Sequence, residues 1–157
     1  MKDPEHTPTA IGGGSVRPSG RARRTPCVGV CSTTYGDLVC RGCKRFAHEI
    51  VDWNRYSDSQ RAEIMERLET LRSGAVLRFL SIPEGRSPLA AVALLLKEDE
   101  QEADQARGVE WRRRWAARDI GIDPAIDSLE QLLEAIDGEL LIRSRGVYER
   151  SFRISIQ

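Results

Sequence analysis

The sequence predicts a mostly α-helical protein in which a small four-cysteine metal knuckle packs on a helical hairpin and a helical C-terminal extension follows. Three observations predict this arrangement. All the cysteines fall between positions 27 and 43, apolar residues recur at helical spacing after them, and glycine and proline separate the helical stretches. A chain of 157 residues, 40% hydrophobic and 31% charged, is large enough for one ordinary core or two modest ones.

The chain divides into three predicted parts. Residues 1–24 are rich in glycine and proline, contain almost no apolar residues and carry five basic against two acidic side chains. Such a segment cannot bury enough apolar surface to order itself, so we expect a flexible basic tail. Residues 25–74 form the four-cysteine metal-binding module, and residues 75–157 form the helical extension.

Composition and charge exclude several classes of protein. Basic and acidic residues number 24 each, so the chain lacks the general positive charge of many nucleic-acid-binding domains. The longest apolar run, Leu89 to Leu96, is much shorter than the roughly 18 residues of a membrane span. The N-terminus has no apolar core of a secretory signal. We therefore expect a cytoplasmic protein whose thiols stay reduced, which favours metal ligands over disulfides.

The cysteines form two short pairs that can complete one metal site. Three residues separate Cys27 from Cys31, eight residues lie between the pairs, and two residues separate Cys40 from Cys43. Two such turns can supply the four ligands of a closed tetrahedron. We expect zinc, because the spacing differs from that of ferredoxins; an iron–sulfur cluster is the alternative, since four thiolates also suit it.

Glycines and turn-forming residues fit the same site. Gly29 lies between the first two cysteines and Gly42 directly before the last, where a tight turn requires backbone angles that glycine adopts most easily. Tyr35 and Asp37 belong to the connecting loop, where we expect them to form the turn rather than to gate the metal. His48 is expected to face solvent or a partner, since four cysteines already complete the ligand shell.

Two helices are predicted after the last cysteine. Phe46, Ile50 and Trp53 recur at helical spacing, with Ala47 and Val51 beside them, and polar residues are expected on the other faces: Lys44, Arg45, Glu49 and Asp52. The second helix begins at Ser57 or Asp58, because Ser57 and Gln60 have the spacing of a capping box. Its buried stripe is predicted to contain Ile64, Met65, Leu68 and Leu71.

These residues carry a resemblance to a known family. The segments Cys27-Val28-Gly29-Val30-Cys31 and Cys40-Arg41-Gly42-Cys43-Lys44-Arg45, followed by Glu49-Ile50 and Trp53, resemble a short bacterial four-cysteine family of unknown function, numbered 1289. The resemblance covers about residues 25–72. It implies a metal ion or cluster, since members are often labelled predicted iron–sulfur proteins, and it implies no established activity. Phe46 departs from the threonine that members often have.

The third part is predicted to be helical throughout. The second helix is expected to extend through Ala75, Val76, Phe79 and Leu80 until Ile82-Pro83 stops it. Ser87-Pro88 then begins a helix whose continuation runs from Glu98 to Arg118. A last helix is expected to about Tyr148, with a hairpin of 139–156 as the alternative.

Trp111 and Trp115 lie one helical turn apart, beside a basic cluster of Arg112, Arg113, Arg114 and Arg118. Tryptophans could stack on bases while arginines contact phosphates. We favour the other interpretation, in which both tryptophans face the core and the arginines are solvated.

No catalytic motif is evident, so we do not expect an enzyme. We predict a metal-stabilised binding or adaptor module with a protein partner. The alternatives are an iron–sulfur protein in electron transfer or redox sensing and a nucleic-acid binder through the Arg/Trp helix.

Overall fold

The computed structural model describes residues 25–99 and 108–152, and the prediction of a flexible tail over residues 1–24 lies outside this range. Within it the chain is mostly α-helical, as predicted. A short 3-10 helix, Ser32–Tyr35, lies between the cysteine pairs. Five α-helices follow: α1 (Ala47–Val51), α2 (Asp58–Val76), α3 (Pro88–Asp99), α4 (Gly108–Ala116) and α5 (Leu129–Phe152).

The start of α2 is fixed by the predicted capping box. Gln60 N donates to Ser57 Oγ at 3.2 Å, and Ser57 N donates to Gln60 Oε1 at 2.9 Å. The helix buries Leu68, whereas Met65 is 38% exposed, so Met65 does not belong to the predicted buried stripe. The predicted boundary at residue 74 lies inside α2.

A pair of short strands replaces the predicted end of the second helix. α2 ends at Val76, and Leu80–Ser81 form β1, which pairs antiparallel with β2, Gly121–Ile122. Leu80 is therefore part of a strand and not of the helix. Spacing along the chain could not reveal this pairing, because its partner lies about 40 residues further on.

α3 begins as predicted, but α4 is a separate helix. Ala90 N donates to Ser87 Oγ at 3.5 Å, and Pro88 occupies the first turn. Residues 100–107 of the predicted helix from Glu98 to Arg118 lie outside the described residues. The prediction is wrong at Gly108, whose φ of +66° lies outside the right-handed helical region, and α4 ends at Ala116, before Arg118.

α5 is one continuous helix through Gly138 and Gly146. The alternative hairpin over 139–156 is therefore wrong up to Phe152; its last residues, 153–156, lie outside the described part of the chain. α5 packs along α2, and α3 packs against both. None of the helices in residues 25–99 and 108–152 is long and apolar enough to cross a membrane.

The main apolar core joins these helices to the strand pair. Trp111 and Trp115 are both 2% exposed, which confirms the prediction that they face the core. The other buried members are Ala75, Val76, Leu80, Ala91, Leu95, Ile120, Ile126, Leu129, Leu132, Ile136 and Leu140. Ala75 and Val76 belong to α2, so this core includes the end of the helix that begins in the cysteine module.

Candidate metal centre

The second cysteine pair lies in a tight loop closed by backbone hydrogen bonds. Val39 and Phe46 form an antiparallel bridge at its base. Within the loop, Cys40 N donates to Arg45 O and Lys44 N donates to Cys40 O, both at 2.9 Å. These bonds fix the backbone, and both cysteines of the loop are buried.

The first cysteine pair is more open. Cys27 is exposed and Cys31 is half-buried. Gly29 N donates to Cys27 Sγ at 3.4 Å, and Gly29 has a φ of +94°, which favours glycine at this turn as predicted. Cys31 Sγ shares a hydrogen bond of 2.9 Å with Thr33 Oγ1 in the following 3-10 helix.

The two cysteine turns are packed against each other. A Cβ atom on Gly42 would lie 2.6 Å from Val28 Cγ2 and 3.0 Å from Val30 O, so only glycine permits this approach. Arg41 N donates to Ser32 Oγ at 2.8 Å and joins the turns a second time. Gly42 thus lets the backbone of one pair lie directly on the backbone of the other.

The four cysteines differ in burial, which bears on how they could hold a metal ion. Cys40 and Cys43 are both buried. Among residues 25–99 and 108–152, however, no three cysteine, histidine, aspartate or glutamate side chains are grouped as metal ligands. The sulfur chemistry and the apposed turns suit a four-thiolate site, while Cys27 is exposed and Cys40 and Cys43 are buried.

The surroundings of the buried pair lower the pKa of Cys40 and raise that of Cys43. Burial by itself would raise the pKa of Cys40, but hydrogen bonds lower this pKa from 9.0 to about 7. The hydrogen bonds that lower this pKa most come from the backbone amides of Cys43, Ser32 and Gly42. Burial raises the pKa of Cys43, against a hydrogen bond from Arg45 that lowers it. Backbone amides that converge on a sulfur stabilise its negative charge.

Two basic residues beside the pair are buried, contrary to the prediction that they lie on polar faces. Lys44 is 2% exposed and Arg45 3%. Lys44 Nζ donates to the carbonyl oxygens of Arg41 and Gly42 and, at 2.6 Å, to Asp137 Oδ1 on α5. The prediction failed because Lys44 has a φ of +62°, which turns its side chain back over the loop that α5 covers.

Arg45 is the second buried cation. Its Nε donates to Cys43 Sγ at 3.4 Å, and its guanidinium lies 4.6 Å from the centroid of the Trp53 ring. A guanidinium stacks favourably on an aromatic face, so Trp53, which is also buried, provides a partner for the charge.

Glu49 was predicted on a polar face and is also buried. Its Oε2 accepts from Phe46 N at 2.9 Å and from Arg67 Nη2 at 2.8 Å. The Arg67 guanidinium lies 3.8 Å from the Phe46 ring centroid. Glu49 therefore connects α1 to α2 through hydrogen bonds. In the sequence, the three-residue spacing from Phe46 to Glu49 was the one signal that could have indicated the burial of Glu49.

The loop residues have the structural surroundings predicted for them. Tyr35 is 89% exposed. Hydrogen bonds from Ser32 and Arg41 hold the pKa of Asp37 below its usual value. His48 is exposed, and its ring lies 5.1 Å from the Phe152 ring at the end of α5.

The Arg/Trp helix α4 offers no exposed aromatic face. Trp111 and Trp115 are buried, and Arg112 donates to Ile126 O at 3.0 Å and pairs with Asp127. The nucleic-acid alternative requires bases to stack on these tryptophans, but neither ring of this helix is accessible.

The cysteine turns and the helices α1 and α2 thus form a small α-helical domain whose buried residues include two cysteines and three charged side chains. Residues 25–72 match the family described as Protein of unknown function (DUF1289), which confirms the predicted resemblance over this segment. The comparison with curated proteins and the comparison with solved structures found no match.

Proposed function

We propose that residues 25–74 are a metal-binding module that holds one structural zinc ion and serves a small cytoplasmic protein as a binding or adaptor module. The ligands in this proposal are four thiolates, those of Cys27, Cys31, Cys40 and Cys43. The observation that carries it is the close approach of the two cysteine turns at Gly42, where a Cβ atom would clash with Val28 and Val30. Four thiolates fill a tetrahedral shell and leave no position for a substrate.

The charges around the buried pair support a site for thiolates. Four thiolates around a divalent ion leave two negative charges, which require compensation inside a protein. Arg45 donates to Cys43 Sγ, and Lys44 is buried in the same loop. When bound, zinc supplies folding free energy and no redox chemistry.

The surface of the cysteine turns supports a protein partner. Four apolar side chains on or next to the turns are largely exposed, Val28 at 65%, Val30 at 74%, Tyr35 at 89% and Leu38 at 58%. Grouped apolar side chains on a protein surface are typical of protein contacts. Arg41, which neighbours them, keeps its charge at the surface in a pair with Asp37.

Metal analysis of the purified, reduced protein tests the proposal. We expect one zinc ion per chain, protection of all four thiols from a thiol reagent in the native state, and no absorption in the visible region. Free reaction of every thiol without any copurified metal would contradict it. Visible charge-transfer bands after anaerobic purification would instead support the iron–sulfur alternative.

A cysteine variant tests whether the metal maintains the fold. We expect Cys43→Ser to unfold the cysteine turns and α1, residues 25–51, because this part of the module buries little apolar surface of its own, while α2, which packs along α5, and the signals of Trp111 and Trp115 persist in a heteronuclear spectrum. Chelation of the wild-type metal should give the same spectrum. A Cys43→Ser protein that keeps the native Trp53 signal would show that the metal has no structural role.

A pair of glycine variants tests the apposition of the turns. Gly42→Ala places a methyl group against Val28 and Val30 O and should lower the zinc content, whereas Gly138→Ala, whose new methyl group meets no atom within 4 Å, should leave it unchanged. Equal zinc content in both variants would show that the approach at Gly42 is irrelevant to the metal.

A further inference from the structure

A cavity of about 670 Å³ opens on the cysteine module beside the exposed first cysteine. Its volume lies in the range of small-molecule sites. Two of the lining residues are arginines and none is acidic: the lining consists of Thr25, Cys27, Arg45, Ile50, Trp53, Asn54 and Arg61. The cavity therefore has a positive wall and an apolar wall.

Arg45 brings a buried positive charge to this cavity. Only 3% of its surface is exposed, yet within residues 25–99 and 108–152 it forms no ion pair with a carboxylate. The side-chain hydrogen bond of Arg45 in this range is the one from Nε to Cys43 Sγ. Arginine stays protonated, and a buried guanidinium is costly unless an anion or several acceptors surround it.

Arg61 fixes a second guanidinium at the same cavity. Its Nη2 donates to Tyr56 O at 2.7 Å and its Nε to Trp53 O at 3.2 Å, and Nη1 lies 3.5 Å from Asp58 Oδ1. The guanidinium lies 6.0 Å from the Trp53 ring centroid, and that of Arg45 lies 4.6 Å from it. Both cations are thus held close to one indole before any ligand arrives.

We propose that this cavity binds a small organic oxyanion, with its carboxylate or phosphate group at Arg45 and Arg61 and its apolar body beside Trp53 and Ile50. Guanidinium groups match both oxyanions in geometry and charge. Asn54 is exposed and Arg61 is held by the backbone carbonyl of Trp53, and both line the same cavity as Arg45. The cavity proposal goes beyond the zinc proposal and requires no metal ion.

Titrations of the full-length protein as purified test this cavity. The probes are phenyl phosphate, benzoate and inorganic phosphate, added at constant ionic strength, and the readout is the indole N–H signal of Trp53, assigned from the spectrum of Trp53→Phe. We expect a saturable shift with at least one organic probe and weaker binding of inorganic phosphate. The tighter organic probe identifies the preferred oxyanion. The proposal is overturned if neither phenyl phosphate nor benzoate gives a saturable shift. It is also overturned if both organic probes and inorganic phosphate bind equally well.

A charge introduced at the cavity provides the matched variant. Asn54→Asp adds a carboxylate at an exposed lining position and should weaken binding by about tenfold or more, because it repels the ligand at short range. Thr70→Asp adds the same charge at an exposed position of α2 outside the cavity and should change binding less than about twofold. Both variants spare Arg45, whose loss threatens the fold. Equal weakening by the two variants would show a general charge effect and overturn the proposal.

Discussion

The cysteine module and the helical core are stabilised in different ways. The module buries Lys44, Arg45 and Glu49, each with a hydrogen-bonded partner, around a few apolar side chains. The helical core is formed by aliphatic side chains around Trp111 and Trp115. The stability that apolar burial contributes depends on the buried area and tolerates small rearrangements. The stability of a buried charge depends on particular partner atoms at particular distances. Single polar contacts therefore contribute most to stability near the cysteines, and buried apolar volume contributes most in the helical core.

The largest loss of stability is expected for a substitution in the helical core. Trp115→Ala should lower the free energy of unfolding by about 3–5 kcal/mol, because it empties the centre of a closely packed cluster. Denaturant unfolding measures the change. Val109→Ala, at a position of α4 that is 62% exposed, is the control and should cost less than about 0.5 kcal/mol. Similar values for the two variants would remove the distinction between the regions.

A polar contact of the module should give the next largest effect. Glu49→Ala removes the acceptor of Phe46 N and Arg67 Nη2 and should cost about 2–3 kcal/mol, the range for hydrogen bonds that involve a charged group and leave a donor without its partner. Glu66→Ala, at an exposed position of α2, is the control and should have little effect on unfolding. A cost for Glu49→Ala no greater than that of Glu66→Ala would show that apolar burial dominates here too.

A smaller effect is expected at the start of α2. Ser57→Ala breaks the side-chain half of the capping box and should cost about 1 kcal/mol. Ser59→Ala, two residues further on and exposed, keeps the cap and serves as its control. Thermal unfolding compares the two variants, and an unchanged midpoint in Ser57→Ala would show that the cap contributes nothing to the stability of this helix.

The smallest expected change is a gain in stability. Gly138→Ala replaces a glycine inside α5 and should raise the free energy of unfolding by about 0.5–1 kcal/mol, because alanine loses less conformational entropy and its methyl group has space. Gly146→Ala, in the same helix, places its methyl group 3.3 Å from Arg150 Nη1 and should gain less. A loss of stability in Gly138→Ala would show that α5 requires glycine at that position.

The sequence could predict the features that depend on neighbouring residues. The capping box of Ser57 and Gln60, the start of α3 at Ser87-Pro88 and the buried tryptophan pair of α4 follow from side chains within one or two helical turns of each other. Periodicity therefore indicated most of the helices and the apolar face of α4.

Features that depend on distant residues could not be predicted in this way. The strand pair of Leu80–Ser81 with Gly121–Ile122 and the burial of Lys44 under Asp137 join parts of the chain that no periodicity relates. Near the cysteines, the spacing predicted the left-handed turn at Gly29 but not the role of Gly42, which has no positive φ and is required by the close approach to Val28 and Val30. It gave no sign that Arg45 and Glu49 would be buried, because charged side chains are ordinarily assigned to a solvated face.

The ion pair between Lys44 and Asp137 also bears on the order in which the chain is made. The cysteine loop leaves the ribosome early, but its partner on α5 is 93 residues later. At translation rates of about 5–20 residues per second, roughly 5–19 s pass before Asp137 is synthesised. During that interval Lys44 remains without its carboxylate, and Phe46 remains without Tyr148, whose ring later lies 5.1 Å away. The cysteine loop, although it is made before α5, is therefore among the last of the described parts to reach its final surroundings.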